Sequence, residues 1–93
     1  MTAPKTEDVN WLEHMDEYNS EALRIGSAGD HRFDEAIIGI GLRCAQPAVF
    51  VYSYEKIVRV LVQDGLDRDE AEEYVSFNII GAWMGPHTPI VMV

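Results

Sequence analysis

The sequence predicts an α+β domain of element order α-β-β-α-α-β, with a small, mainly antiparallel three-stranded sheet packed by helices. Three observations lead there. The run Ala48-Val49-Phe50-Val51-Tyr52 is short, β-branched and aromatic, the composition of a buried strand. Two helical stretches follow, joined at Asp64-Gly65, and Pro89-Ile90-Val91-Met92-Val93 reads as a closing strand. A chain of 93 residues holds one core, so residues 1–93 form a single domain. Its parts are a flexible lead (1–7), an amphipathic helix (8–25) and an α+β core (34–93).

Taken in order, Trp11, Leu12, Met15, Tyr18, Ala22 and Ile25 recur at spacings of three and four, which marks an amphipathic helix from Glu7 to about Ile25. Thr6 or Asp8 is placed to cap its start. Gly26-Ser27-Ala28-Gly29-Asp30 breaks it. Residues 34–42 alternate with period two and carry two glycines, favouring a twisted or bulged strand with Ile38 and Ile40 on one face; Asp34 before Ala36 would also suit a short helix. Pro47 keeps its predecessor out of a helix. Ser53 is a natural cap for a helix from Tyr54 to about Val62, with Ile57, Val58, Leu61 and Val62 inward and Glu55 paired to Arg59 on the wet side. Gly65 suits the left-handed helix terminus. Asp67 and Glu70 make a capping box for the last helix.

That helix places Ala71, Tyr74, Val75, Asn78, Ile79 and Ala82 on one stripe, with Phe77, Ile80 and Trp83 beside it. From Phe77 onward it is apolar nearly all round. Such a helix calls for sheet on one side and a second helix or a partner on the other. Gly85-Pro86 stops it.

Charge separates the function classes. The chain carries sixteen acids against seven bases, a net charge of -9, with a hydrophobic share of 47% that argues against disorder. Only residues 37–64 are near neutral. A surface this acidic repels phosphate backbones, so direct nucleic-acid binding is not expected. The single cysteine, Cys44, forms no internal disulfide and suits a reducing compartment, and the first residues lack the apolar run of a signal peptide. No stretch approaches eighteen apolar residues, so a cytoplasmic chain without a membrane span is expected.

Motifs for chemistry are sparse. His14, His31 and His87 fall in three different elements, none at metal-ligand spacing. Cys44 would need His31 or His87 beside it to act as a nucleophile, and reads as a structural cysteine. Asp64, Asp67, Asp69 and Glu70 match a calcium loop in charge only and are accounted for by helix capping. Gly39-Ile40-Gly41 lacks the third glycine of a dinucleotide site. No catalytic, cofactor-binding or metal-ligating residue is predicted, no cofactor, and no enzyme activity. Asn78, on the apolar stripe, is expected to be a buried amide tied to the Gly85-Pro86-His87-Thr88 loop, and Arg43 to pair with Asp34 or Glu35.

The pieces Glu35-Ala36-Ile37-Ile38-Gly39, Val51-Tyr52-x-Tyr54-x-Lys56, Asp64-Gly65, Glu70-Ala71-x-x-Tyr74, Phe77-Asn78-x-x-Gly81-Ala82-Trp83 and Thr88-Pro89-Ile90 occur in that order. Over residues 34–93 the chain resembles a group of small bacteriophage proteins of unknown function. The resemblance implies a phage origin and the cytoplasm of an infected bacterium, and no catalytic residue. The expected function is a non-catalytic binding or regulatory module in which Phe77, Ile80, Trp83 and Met84 meet a second copy, as a homodimer, or a host or phage protein. The alternative is a ligand-binding protein or small enzyme with a pocket around Arg43, Tyr52, Asn78 and His87, with Cys44 nearby. A second alternative is an acidic nucleic-acid mimic built on Glu7, Glu13, Asp16, Glu17 and Glu21.

Overall fold

In the computed structural model, which describes residues 10–26 and 31–93, the strand β2 (Val49–Ser53) lies between two partners. On one side it pairs antiparallel with β1 (Ile37–Gly41), and on the other parallel with β3 (Ile90–Met92). The α+β class and the element order agree with the sequence reading. The sheet itself is mixed rather than wholly antiparallel, because the chain between β2 and β3 returns through helices, the connection that parallel pairing requires. The expected lead (1–7), the capping residues Thr6 and Asp8, and Ser27 to Asp30 lie outside the described residues.

The first helix, α1 (Trp11–Tyr18), is capped by Asn10, whose side chain accepts from the Glu13 N–H at 3.2 Å. It does not run on to Ile25. Asn19 is extended, and its side-chain oxygen accepts the Glu21 N–H at 3.0 Å, a local bond that competes with helix continuation. Ala22 and Ile25 still pack on the core, from a loop. A single 3₁₀ turn, Asp34–Ala36, then leads into β1, so both readings of residues 34–42 hold part of the answer. The strand slips register between Ile37 and Gly39, a bulge at Ile38.

After β2 the Ser53 hydroxyl accepts from Lys56 N–H at 3.3 Å and starts α2 (Tyr54–Gln63). This helix buries Ile57, Val58, Val60 and Leu61, while Val62 is exposed. Gly65 takes φ +110, and Leu66 N–H closes back on the Leu61 carbonyl, a left-handed terminus. Asp67 caps α3 (Arg68–Tyr74) through the Glu70 N–H at 2.8 Å. That bond holds the Asp67 carboxyl below its ordinary range, while hydrogen bonding to Asp67 raises Glu70. Glu55 pairs with Arg68, at 2.8 and 2.9 Å, rather than with Arg59. The bidentate clamp joins the two helices and lowers the Glu55 carboxyl.

The helix does not end at Tyr74 but widens, over Val75–Ile80, to π-helical closure, with Gly81 N–H bonded to the Ser76 carbonyl. A wider turn changes the angular step per residue, so a stripe drawn at helical spacing no longer faces one way. Val75 stays buried, but Asn78 does not: it is exposed, and its amide reaches the Tyr74 carbonyl at 3.3 Å. The expected buried amide is thus a surface one.

The core gathers Met15 from α1, Phe33, Ala36, Phe50 and Tyr52 from the sheet side, Ile57, Val58 and Leu61 from α2, and Val75. Tyr52 is fully buried, its ring edge-on to Phe50 at 6.5 Å, and its hydroxyl accepts the Ile25 N–H at 3.0 Å. Burial pushes the phenol up to about 12, against the smaller opposing effect of the Ile25 N–H. A pKa raised above the unfolded value gives stability that is complete below pH ~10 and is lost as pH climbs towards 12. Alkaline unfolding should therefore coincide with a rise in tyrosinate absorbance. Tyr52→Phe should weaken that coincidence while costing about 1–3 kcal/mol at neutral pH, as the Ile25 N–H loses its acceptor. Ala45, in the turn between β1 and β2, has φ 59. Ala45→Gly should raise the urea midpoint, by roughly 0.5–1 kcal/mol of stability, since an L side chain is strained there.

Candidate functional site

Two surfaces border each other at the far side of the sheet. The first is a cavity of about 750 Å³ between the loop that follows α1, the end of the π-helical segment and β3. Its apolar wall comes from Ile25, Ile80, Trp83, Met84, Ile90 and Val91, and its polar wall includes Arg24, Arg32 and Arg43. The volume lies within the range of small-molecule sites, though this one is open at the rim. The second surface is the rim itself and the turn before it. Phe77 is 74% exposed, Ile80 56%, Trp83 70% and Met84 66%, so these side chains do not complete the core. Phe77 and Ile80 project from the π-helical turn, whereas Trp83 and Met84 lie in the loop after it, since the helix ends at Ile80 rather than running to Gly85-Pro86.

The four polar residues expected to share a pocket do not converge. Tyr52 is in the core, bonded to Ile25. Asn78 and Arg43 both line the cavity, yet Asn78 is occupied by the Tyr74 carbonyl and Arg43 Nη2 by the Pro86 carbonyl at 3.0 Å. Arg43 therefore does not pair with Asp34 or Glu35; Asp34 faces Arg24, at 3.5 Å. His87 sits outside the cavity lining, against Asn19, and Cys44 is exposed. Among the described residues no three His, Cys, Asp or Glu side chains gather as metal ligands, and no described helix is long and apolar enough to cross a membrane. Of the acidic strip, Glu13, Asp16, Glu17 and Glu21 are exposed, and Glu7 lies outside the described residues.

Asn19 is the residue that sequence reading missed. Its amide donates to the Ala48 carbonyl at 2.9 Å and to His87 Nδ1 at 2.9 Å, while its oxygen takes the Glu21 N–H. Since the amide donates, Nδ1 accepts, and the imidazole carries its proton on Nε2, 3.6 Å from a Glu21 carboxylate oxygen. One side chain thus ties the end of α1 to the start of β2 and to the turn before β3. The Leu23 N–H bond to the His87 carbonyl, at 3.2 Å, adds a backbone tie across the same gap. Nothing local announces this role, because every partner but Glu21 is 29 or more residues away. In the sequence Asn19 sits inside an apolar period that runs on to Ala22 and Ile25, so no local signal marks it.

Comparison with protein-family models, with curated proteins and with solved structures found no match to this chain.

Replacing Asn19 by Ala should cost about 1–3 kcal/mol in urea unfolding, because the Ala48 carbonyl and the Glu21 N–H lose their partner. The heteronuclear NMR signals of His87 and of residues 85–88 should shift with it, while those of α2 and α3 stay in place.

Proposed function

We propose that the protein is a non-catalytic interaction module that self-associates through the face carrying Phe77, Ile80, Trp83 and Met84. The observation that carries this is the exposure of those four side chains, Phe77 and Ile80 on the π-helical segment and Trp83 and Met84 in the loop just after it, with no described element over them. Area supports it. At the exposures seen, the rings of Phe77 and Trp83 alone offer on the order of 300 Å², over a third of the ~800 Å² that each partner gives to a standard interface.

Charge favours a second copy as the occupant. Residues 75–93 contain no Asp, Glu, Lys or Arg, in a chain of net charge -9. Two such molecules repel one another at most approaches, and this face lets them meet without opposed carboxylates. A two-fold pairing of one patch with itself also closes without further growth. If the likeness to small phage proteins reflects origin, the setting is the cytoplasm of an infected bacterium, and the same face is where a host or phage protein would dock.

Light scattering across a concentration series tests the reading. The expected mass is twice 10.5 kDa for the natural chain. Phe77→Ser and Trp83→Ser together should weaken association at least tenfold without loss of helix content, since both side chains are exposed in the monomer. A monomeric mass at every concentration would refute self-association.

A further inference from the structure

We propose that the cavity behind Trp83 is a binding site for an amphiphilic carboxylate, an apolar chain or ring system bearing a single carboxylate, with Arg43 as its counter-ion. The charge of the lining is the first ground. Among the described residues, Arg24, Arg32 and Arg43 line this cavity and no Asp or Glu does. On a molecule of net charge -9, that is the reverse of the surface as a whole.

The three arginines are not equivalent. Arg24 is held by Asp34 at 3.5 Å and contacts His31, and Arg32 is held by Asp64 at 2.9 Å. Arg43 meets only the Pro86 carbonyl, through one of its five N–H groups, and among the described residues no carboxylate lies within ion-pair distance of it. A guanidinium with donors to spare suits bidentate capture of a carboxylate. A single uncompensated cation fits a monoanion better than a phosphate ester, whose second charge would have no partner. The apolar body of the ligand would lie between Ile25, Ile80, Trp83, Met84, Ile90 and Val91, in a cavity of about 750 Å³. The site shares Ile80, Trp83 and Met84 with the proposed dimer face, whereas Phe77 belongs to that face alone and does not line the cavity.

Decanoate and decanol are the probes, titrated calorimetrically into the whole chain below their self-association limits. Decanoate should bind saturably at one site and at least tenfold more tightly than decanol. Arg43→Gln should reduce decanoate affinity to that of decanol and leave decanol unchanged, in a variant whose circular dichroism matches the parent. Because Arg43 also holds Pro86, a readout without any variant accompanies it: added sodium chloride should weaken decanoate binding several-fold and not weaken decanol. Absence of saturable decanoate binding, equal affinities for the two probes, or a decanoate affinity indifferent to both Arg43 and salt would overturn the proposal. Repeating the titration on Phe77→Ser separates it from the dimer, since that variant should associate more weakly yet bind decanoate at least as tightly.

Discussion

The bond from the Ile25 N–H to the Tyr52 hydroxyl is the constraint from which the rest of the arrangement follows. Tyr52 stands in the middle strand, opposite Ile37 on one side and Val91 on the other, with no exposed surface. A phenol so placed must find a partner for its hydroxyl, since an unsatisfied polar group in a core costs about 1–3 kcal/mol. The partner it finds lies in the loop after α1. That bond therefore sets how closely the loop approaches the sheet, and the loop is one wall of the cavity. The pressure that raises the phenol's pKa is the same pressure that fixes the width of a surface feature.

The widening of the last helix is the second determinant. A regular helix would carry Asn78 and Ile79 along the buried stripe begun by Ala71 and Val75. With π-helical closure from Val75 the stripe frays: Asn78 is turned to solvent, Ile79 keeps a half-buried place against the core, and Phe77 and Ile80 beside it are exposed. Gly81 fits the end of this turn closely: a Cβ there would lie 3.3 Å from the Phe77 and Ser76 carbonyl oxygens. Interior packing and outward display are thus divided at one change of helical step.

Much of the scaffold was legible in the sequence because its signals are local. Ser53 and Asp67 cap the helices that follow them, Gly65 turns the chain between those helices, and the β-branched and aromatic run over Val49–Ser53 is the central strand. These features depend on neighbours three or four residues away. What escaped depends on distance or on geometry that no residue type encodes. Glu55 pairs across to Arg68 rather than along its own helix to Arg59; Asn19 binds partners just before β2 and beyond α3; and the parallel partnership of β2 and β3 emerges only once the helical return is packed. At the candidate site, Phe77, Ile80, Trp83 and Met84 were identified from an excess of apolar surface, which is a compositional fact. The dispersal of Tyr52, Asn78 and His87 was not foreseeable, since it follows from Tyr52's bond to Ile25, the wider turn that carries Asn78 and the hold of Asn19 on His87.

β3 carries a further consequence. It is three residues long, at the edge of the sheet, hydrogen-bonded to a single neighbouring strand, and it also forms one side of the cavity. Short edge strands are where a folded chain opens at lowest free energy, well short of global unfolding. A molecule lodged against Ile90 and Val91 would oppose that opening and would be felt as slowed amide exchange along β3 and β2, because whatever binds only the closed form stabilises it by mass action. The wall of the site thus doubles as an edge of the sheet, and occupancy and local order there would form one equilibrium.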